Sequence, residues 1–183
     1  WDSGSRNQLS EIHAVTTIKQ GNKSIFLIGL LGYLTCLNGI NRSRVFLGTL
    51  DAGTGGAYSS QGKRSYCFDA RYALENLNTV DDILSCLKSF SGDYTYSHNF
   101  ACADATCCKI LENNADNPLL TAVRTGDSPL NPGVNWEFKD SIVCVNSFVF
   151  SGNSTKAHEW IGNHARWDSY ANQMKLRGEK IDF

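Results

Sequence analysis

The residues best placed to do chemistry are the polar ones at predicted strand ends or beside glycines, because loops on a rigid sheet commonly carry reacting groups. Asp2, Asp51, Asn146 and Arg166 meet that description or lie near it. A carboxylate can orient a charged amine. A side-chain amide can donate to developing negative charge without carrying charge itself. Taken singly, each of the four is better explained as a turn former, a cap or a surface charge. Of the histidines, His13 and His98 fall inside predicted strands and read as structural. His158 and His164 are six positions apart, which does not place two metal ligands on one helical face. The seven cysteines, at 36, 67, 86, 102, 107, 108 and 144, are an odd number in a chain long enough to need no staples. They read as structural thiols.

The elements that must position these residues follow from periodicity. Residues 11–19 alternate and are rich in β-branched types, which predicts a strand. Gln20-Gly21-Asn22 supplies a turn, and the apolar run 24–29 predicts a strand buried on both faces. A further turn is expected at 38–41, then a strand over 44–50 that ends in the glycine-rich stretch 51–56. The period then lengthens to that of a helix. Phe68 and Tyr72, followed after a break by Val80, Ile83, Leu84 and Leu87, predict the apolar faces of two consecutive helices. Thr79 with Asp82 offers the second helix an N-cap. Residues 96–103 and 107–112 predict a hairpin turning at 104–106; 119–124 and 141–150 predict strands, and 157–177 a helix. Strands, two helices, strands and a final helix make an α+β arrangement in one domain over residues 1–183.

Bulk properties exclude several function classes. With 17 basic and 18 acidic residues, the chain has no cationic surplus for phosphates or anionic lipid. Neither nucleic acid nor a membrane is an expected partner, and no apolar run approaches the roughly 20 residues of a spanning helix. No signal-peptide pattern opens the sequence, so a cytoplasmic setting is favoured over a secreted one. Three triplets of the glycosylation type, beginning at Asn22, Asn41 and Asn153, would matter only in a secreted protein. A homo-oligomer stays open. No motif implies a metal or a cofactor.

Two resemblances remain. Thr-Leu-Asp-Ala-Gly-Thr-Gly-Gly at 49–56 looks like the phosphate loop of the actin, Hsp70 and sugar-kinase superfamily, but one such loop without its downstream partner leaves ATP binding an alternative only. The broader likeness covers nearly the whole chain. Arg71-Tyr-Ala-Leu-Glu75, Thr79-Val80, Ser97-His-Asn-Phe-Ala-Cys-Ala-Asp-Ala-Thr106 and Lys109-Ile-Leu-Glu112 resemble segments of the choloylglycine hydrolase and isopenicillin N acyltransferase-like family. Trp1-Asp2 is similar to the end of that family's "G-R-N-W-D" segment, and Ile142-Val-Cys-Val-Asn-Ser-Phe148 to its later asparagine-bearing strand.

The resemblance implies an αββα four-layer sandwich of the N-terminal-nucleophile (Ntn) hydrolase type, incomplete here at the N-terminus and at the C-terminus. It implies an amidase or acyltransferase acting on small-molecule N-acyl amides through an N-terminal cysteine freed by processing. Asp2 then falls on the aspartate that holds the α-amino group of the nucleophile. Asn146 falls on the oxyanion asparagine, Arg166 near the arginine that closes the polar network, and Asp51 where relatives place an asparagine or tyrosine at the oxyanion hole. The family's cysteine would lie one short hairpin before Trp1, so the 183 residues alone are expected to hydrolyse no amide. A non-catalytic relative is the remaining alternative.

Overall fold

The computed structural model describes residues 11–52, 60–153 and 161–177. Asp2, the glycines of 53–56 and His158 lie outside the described residues. Seven strands form one antiparallel sheet in sequence order: β1 His13–Gln20, β2 Lys23–Leu30, β3 Asn38–Asn41, β4 Phe46–Asp51, β5 His98–Ala103, β6 Cys108–Asn113 and β7 Ala122–Arg124. Helices α1 Tyr66–Asn76 and α2 Val80–Ser89 connect β4 to β5, and α3 Ile161–Arg177 follows the last strand. This is an α+β fold.

The β1–β2 hairpin turns on Gly21, whose φ of 57° is the left-handed region that favours glycine, and Asn22. Against expectation, residues 38–41 are a strand, because Gly39 lets β3 pack closely under α1. A Cβ there would stand 2.9 Å from the Leu74 side chain and from the Phe26 carbonyl oxygen. The expected double burial of β2 also fails. Ile25 and Leu27 enter the core, whereas Phe26 and Ile28 remain 43% and 47% exposed. With Val15 and Ile40 they form an apolar face that no described residue covers.

Helix α2 follows its pattern: Val80, Ile83, Leu84 and Leu87 are buried, and the Thr79 hydroxyl accepts the Asp82 amide at 3.1 Å as an N-cap. In α1 the face is rotated from the expected one. Phe68 and Tyr72 are exposed, and Cys67, Ala70, Ala73 and Leu74 are buried: the small residues admit the close approach to β2 and β3, and Leu74 fits over Gly39. These two helices and one sheet face enclose the main core around Leu47, Tyr94, Phe100 and Leu111.

Side chains alternate across a strand, so Asn99 and Glu112, register partners in β5 and β6, point to the face opposite Phe100 and Leu111. On that face sits the segment 129–150. The expected strand over 141–150 is not one: it makes no ladder, only an isolated bridge from Leu130 to Phe150. The expected strand at 119–124 is shortened to β7 by a 3-10 turn at Pro118–Leu120. What replaces the ladder is a set of side-chain anchors. Glu112, fully buried, accepts the Val149 and Phe150 amides at 3.0 and 3.1 Å and the Asn153 side chain at 3.2 Å. Arg124 pairs with Glu112 at 3.0 Å and reaches the Val143 carbonyl at 2.6 Å. Thus the buried charge is compensated and its remaining lone pairs are used, as a buried carboxylate requires. A second apolar cluster of Val143, Val145, Val149 and Trp167 ties the segment to α3.

Candidate functional site

Asn99 Nδ2 donates to the carbonyls of Val145 and Ser147, at 2.8 and 2.9 Å, while the intervening Asn146 carbonyl accepts from Asn163 Nδ2 on α3 at 3.1 Å. One donor shared by the carbonyls of 145 and 147, with the carbonyl of 146 turned to α3, holds a bend at 146–147, and the Asn146 side chain reaches the end of β4. There its Nδ2 donates to the Asp51 main-chain oxygen at 2.9 Å. Arg166, from the second turn of α3, donates Nη1 to Asn146 Oδ1 at 2.6 Å. A guanidinium can only donate, so it fixes which end of the amide is oxygen. The Asn146 Nδ2 group carries two hydrogens, and Asp51 takes one of them.

Asp51, Asn146 and Arg166 therefore meet, across 95 and 20 residues of sequence. The contact with Asp51 is made through its backbone and not its carboxylate. Asp51 is the register partner of His98, so its side chain lies on the helix-covered side of the sheet. The Tyr96 hydroxyl donates to Asp51 Oδ1 at 3.1 Å, and His98 Nε2 lies 3.8 Å from the same oxygen. Burial of one flank holds the Asp51 carboxyl above its usual range and the Tyr96 hydrogen bond opposes this. Because 59% of the side chain stays exposed, water limits the rise.

Five of the described thiols are shifted away from the thiolate form that a nucleophile needs. Burial pushes Cys36 and Cys102 up to about 12 and also raises Cys86, Cys108 and Cys144. Among the described residues no group of three or more His, Cys, Asp or Glu could hold a metal ion, and no helix is long and apolar enough to cross a membrane. Val145, Ser147 and Val149, but not Asn146, line a cavity of about 680 Å³ between the 133–138 loop and α3, with Trp136, Phe138 and Trp167 among its lining.

Sequence reasoning missed Asn99, Glu112, Arg124 and Asn163 as site-building residues. The available signal was polarity at inward-facing positions, on strands for Asn99, Glu112 and Arg124 and on α3 for Asn163. The ATP alternative rests on 53–56, which is outside the described residues.

No protein-family model matches the chain. No curated protein matches it either. Among solved structures, a match is the Caenorhabditis elegans orthologue of N-acylethanolamine-hydrolysing acid amidase, at 16% identity and a TM-score of 0.48 over 67% of this chain and 53% of that one. The chain spans about half the length of that protein. At that degree of similarity the functional reading rests on the residues themselves.

Proposed function

We propose that the chain forms part of a cysteine Ntn amidase or acyltransferase that cleaves linear amides of N-acyl compounds, with Asn146 as oxyanion donor. The observation that carries this is the Arg166–Asn146–Asp51 contact chain, which presents a pre-oriented amide N–H at a sheet end. In the reading, the thiolate of a processed N-terminal cysteine attacks the acyl carbonyl and its α-amino group, held by Asp2, manages the proton. The developing oxyanion takes the second Asn146 N–H, and Arg166 keeps the amide from rotating. The Asp51 carboxylate faces Tyr96 on the other side of the sheet, which removes the repulsion that a carboxylate in the oxyanion hole would cause. The thiols of Cys36 and Cys102, pushed up by burial, are poor nucleophiles, which supports a nucleophile other than these two. The uncovered apolar face of Val15, Phe26, Ile28 and Ile40 suits a second sheet, which would complete the four-layer sandwich.

In the full-length protein, Asn146→Ala should lower the acylation rate on an N-acyl amide by about 10²-fold, the usual scale for one oxyanion donor, with the fold retained. Single-turnover kinetics with a chromogenic acyl amide measures it. An unchanged rate removes Asn146 from the site, and absence of turnover across short- and long-chain acyl amides in the unmutated full-length protein overturns the reading.

A further inference from the structure

The residue that the amidase reading leaves unused is His98, and its surroundings are unusual for a structural histidine. Its side chain is fully buried. It is clamped between the rings of Tyr66, at 3.7 Å between centroids, and Tyr96, at 4.5 Å, with Tyr94 and Phe100 at 6.4 and 5.8 Å. Yet neither ring nitrogen reaches a partner within hydrogen-bond geometry. A neutral imidazole has one N–H and one lone pair, and a buried group of this kind left unpaired calls for a reason.

The groups that face the ring are Asp51 from the end of β4, Tyr66 from α1, Tyr94 and Tyr96 from the link before β5, Phe100 within β5, and Asn113, the register partner on β6, whose buried side-chain amide is neutral and also lacks a hydrogen-bond partner. Burial raises the Tyr66 and Tyr94 hydroxyls further above neutral pH, so Asp51 is the one that carries charge there. Strand register makes it the cross-strand partner of His98, and its Oδ1 lies 3.8 Å from Nε2.

We propose that His98 is a positioning residue for Asp51, a neutral imidazole whose Nε2–H donates to Asp51 Oδ1 and keeps that carboxylate on the helix-covered side of the sheet. The imidazole is fully buried between tilted tyrosine rings, whereas 59% of the Asp51 side chain is exposed, so the carboxylate is the partner with room to rotate. A rotation that shortens the separation by less than about 1 Å makes the bond, and the gain from satisfying a buried donor drives it. Burial keeps the ring neutral, lowering its pKa to about 3 despite the Tyr96 carbonyl nearby, which favours the proton but falls short of a hydrogen bond. A neutral donor suits the task, because a charged ring would place a charge at a fully buried position beside a carboxylate that is largely in water. With the carboxylate held by Tyr96 and His98, the Asp51 main-chain oxygen is left in place for Asn146.

The geometry stands without any assumption about the reaction; that it matters for catalysis rests on the amide-hydrolase reading. The test is imidazole ¹⁵N and carboxyl ¹³C NMR on the full-length protein. Unmutated protein should show His98 neutral and protonated on Nε2 from about pH 5 to about pH 8, a range in which a solvent-exposed histidine titrates. In His98→Phe, Asp51 should bind its proton about tenfold more tightly, since a charge-assisted donor is lost. His98→Gln, whose amide N–H replaces the donor, should return Asp51 to within about twofold of the unmutated value. An imidazole protonated on Nδ1, with Nε2 bare toward Asp51, overturns the assignment, as does an Asp51 titration that His98→Phe leaves unmoved in a folded protein. The tautomer needs no variant, so the result survives if His98→Phe does not fold. A protein that turns over no amide but keeps the Nε2–H tautomer defeats the amidase reading and leaves His98 in its role.

Discussion

The two sides of the sheet are held together by different physics. On the helix side, α1 and α2 bury apolar side chains against β2 to β6, and the contact is a continuous hydrophobic core. On the other side the segment 141–150 has no ladder, and Glu112, Asn99, Arg124 and Asn163 hold its backbone by side-chain hydrogen bonds. Burial of apolar area tolerates trimming, because it scales with surface. A buried polar anchor does not: removing one partner strands the groups it satisfied. The difference teaches where Asn146 gets its geometry. It sits in the polar-anchored segment, so its orientation depends on a few hydrogen bonds and not on the mass of the core.

The comparison breaks or sharpens by substitution on the two sides. Glu112→Ala should have the largest effect, a loss of about 3–5 kcal/mol, because Arg124 is left as an uncompensated buried charge. Urea unfolding of the full-length protein reports the loss, and amide exchange should rise most at 143–150. A uniform rise across β1 to β4 would show that the anchor serves the whole sheet and not one face. Asn99→Ala should cost about 1–3 kcal/mol, since two buried carbonyls lose their donor. Its signature is faster exchange at Ser147 and Phe148 with β2 unchanged. Ile83→Val, in the middle of the apolar side, should cost least, about 0.5–1.5 kcal/mol, with no local exchange signature at 143–150. A larger loss for Ile83→Val than for Asn99→Ala would reverse the contrast.

Elements whose partner is close in sequence were legible. The β1–β2 and β5–β6 hairpins and the capped helix α2 follow from alternation, from the Gly21-Asn22 turn and from Thr79 with Asp82, all of which act within a few residues. The rotated face of α1 was not legible, because Phe68 and Tyr72 have the helical spacing of a core face and only the crowding against β2 and β3 selects the small residues instead. Nor was the status of 141–150. Its apolar run reads as a strand by composition, and what denies it a ladder is the buried Glu112–Arg124 pair taking the amides and carbonyls that a neighbouring strand would have used.

By itself the sequence determined the α+β class, the helix–cap pairing and the polar residues Asp51, Asn146 and Arg166 as candidates, since residue type, spacing and turn chemistry are local properties. Only the tertiary structure decided how they meet. Strand register turned the Asp51 carboxylate toward His98, and alternate carbonyls on Asn99 and Asn163 turned the Asn146 amide onto the Asp51 backbone. Register and hydrogen bonds join residues 17 to 95 positions apart, and no pattern within a short window carries that information.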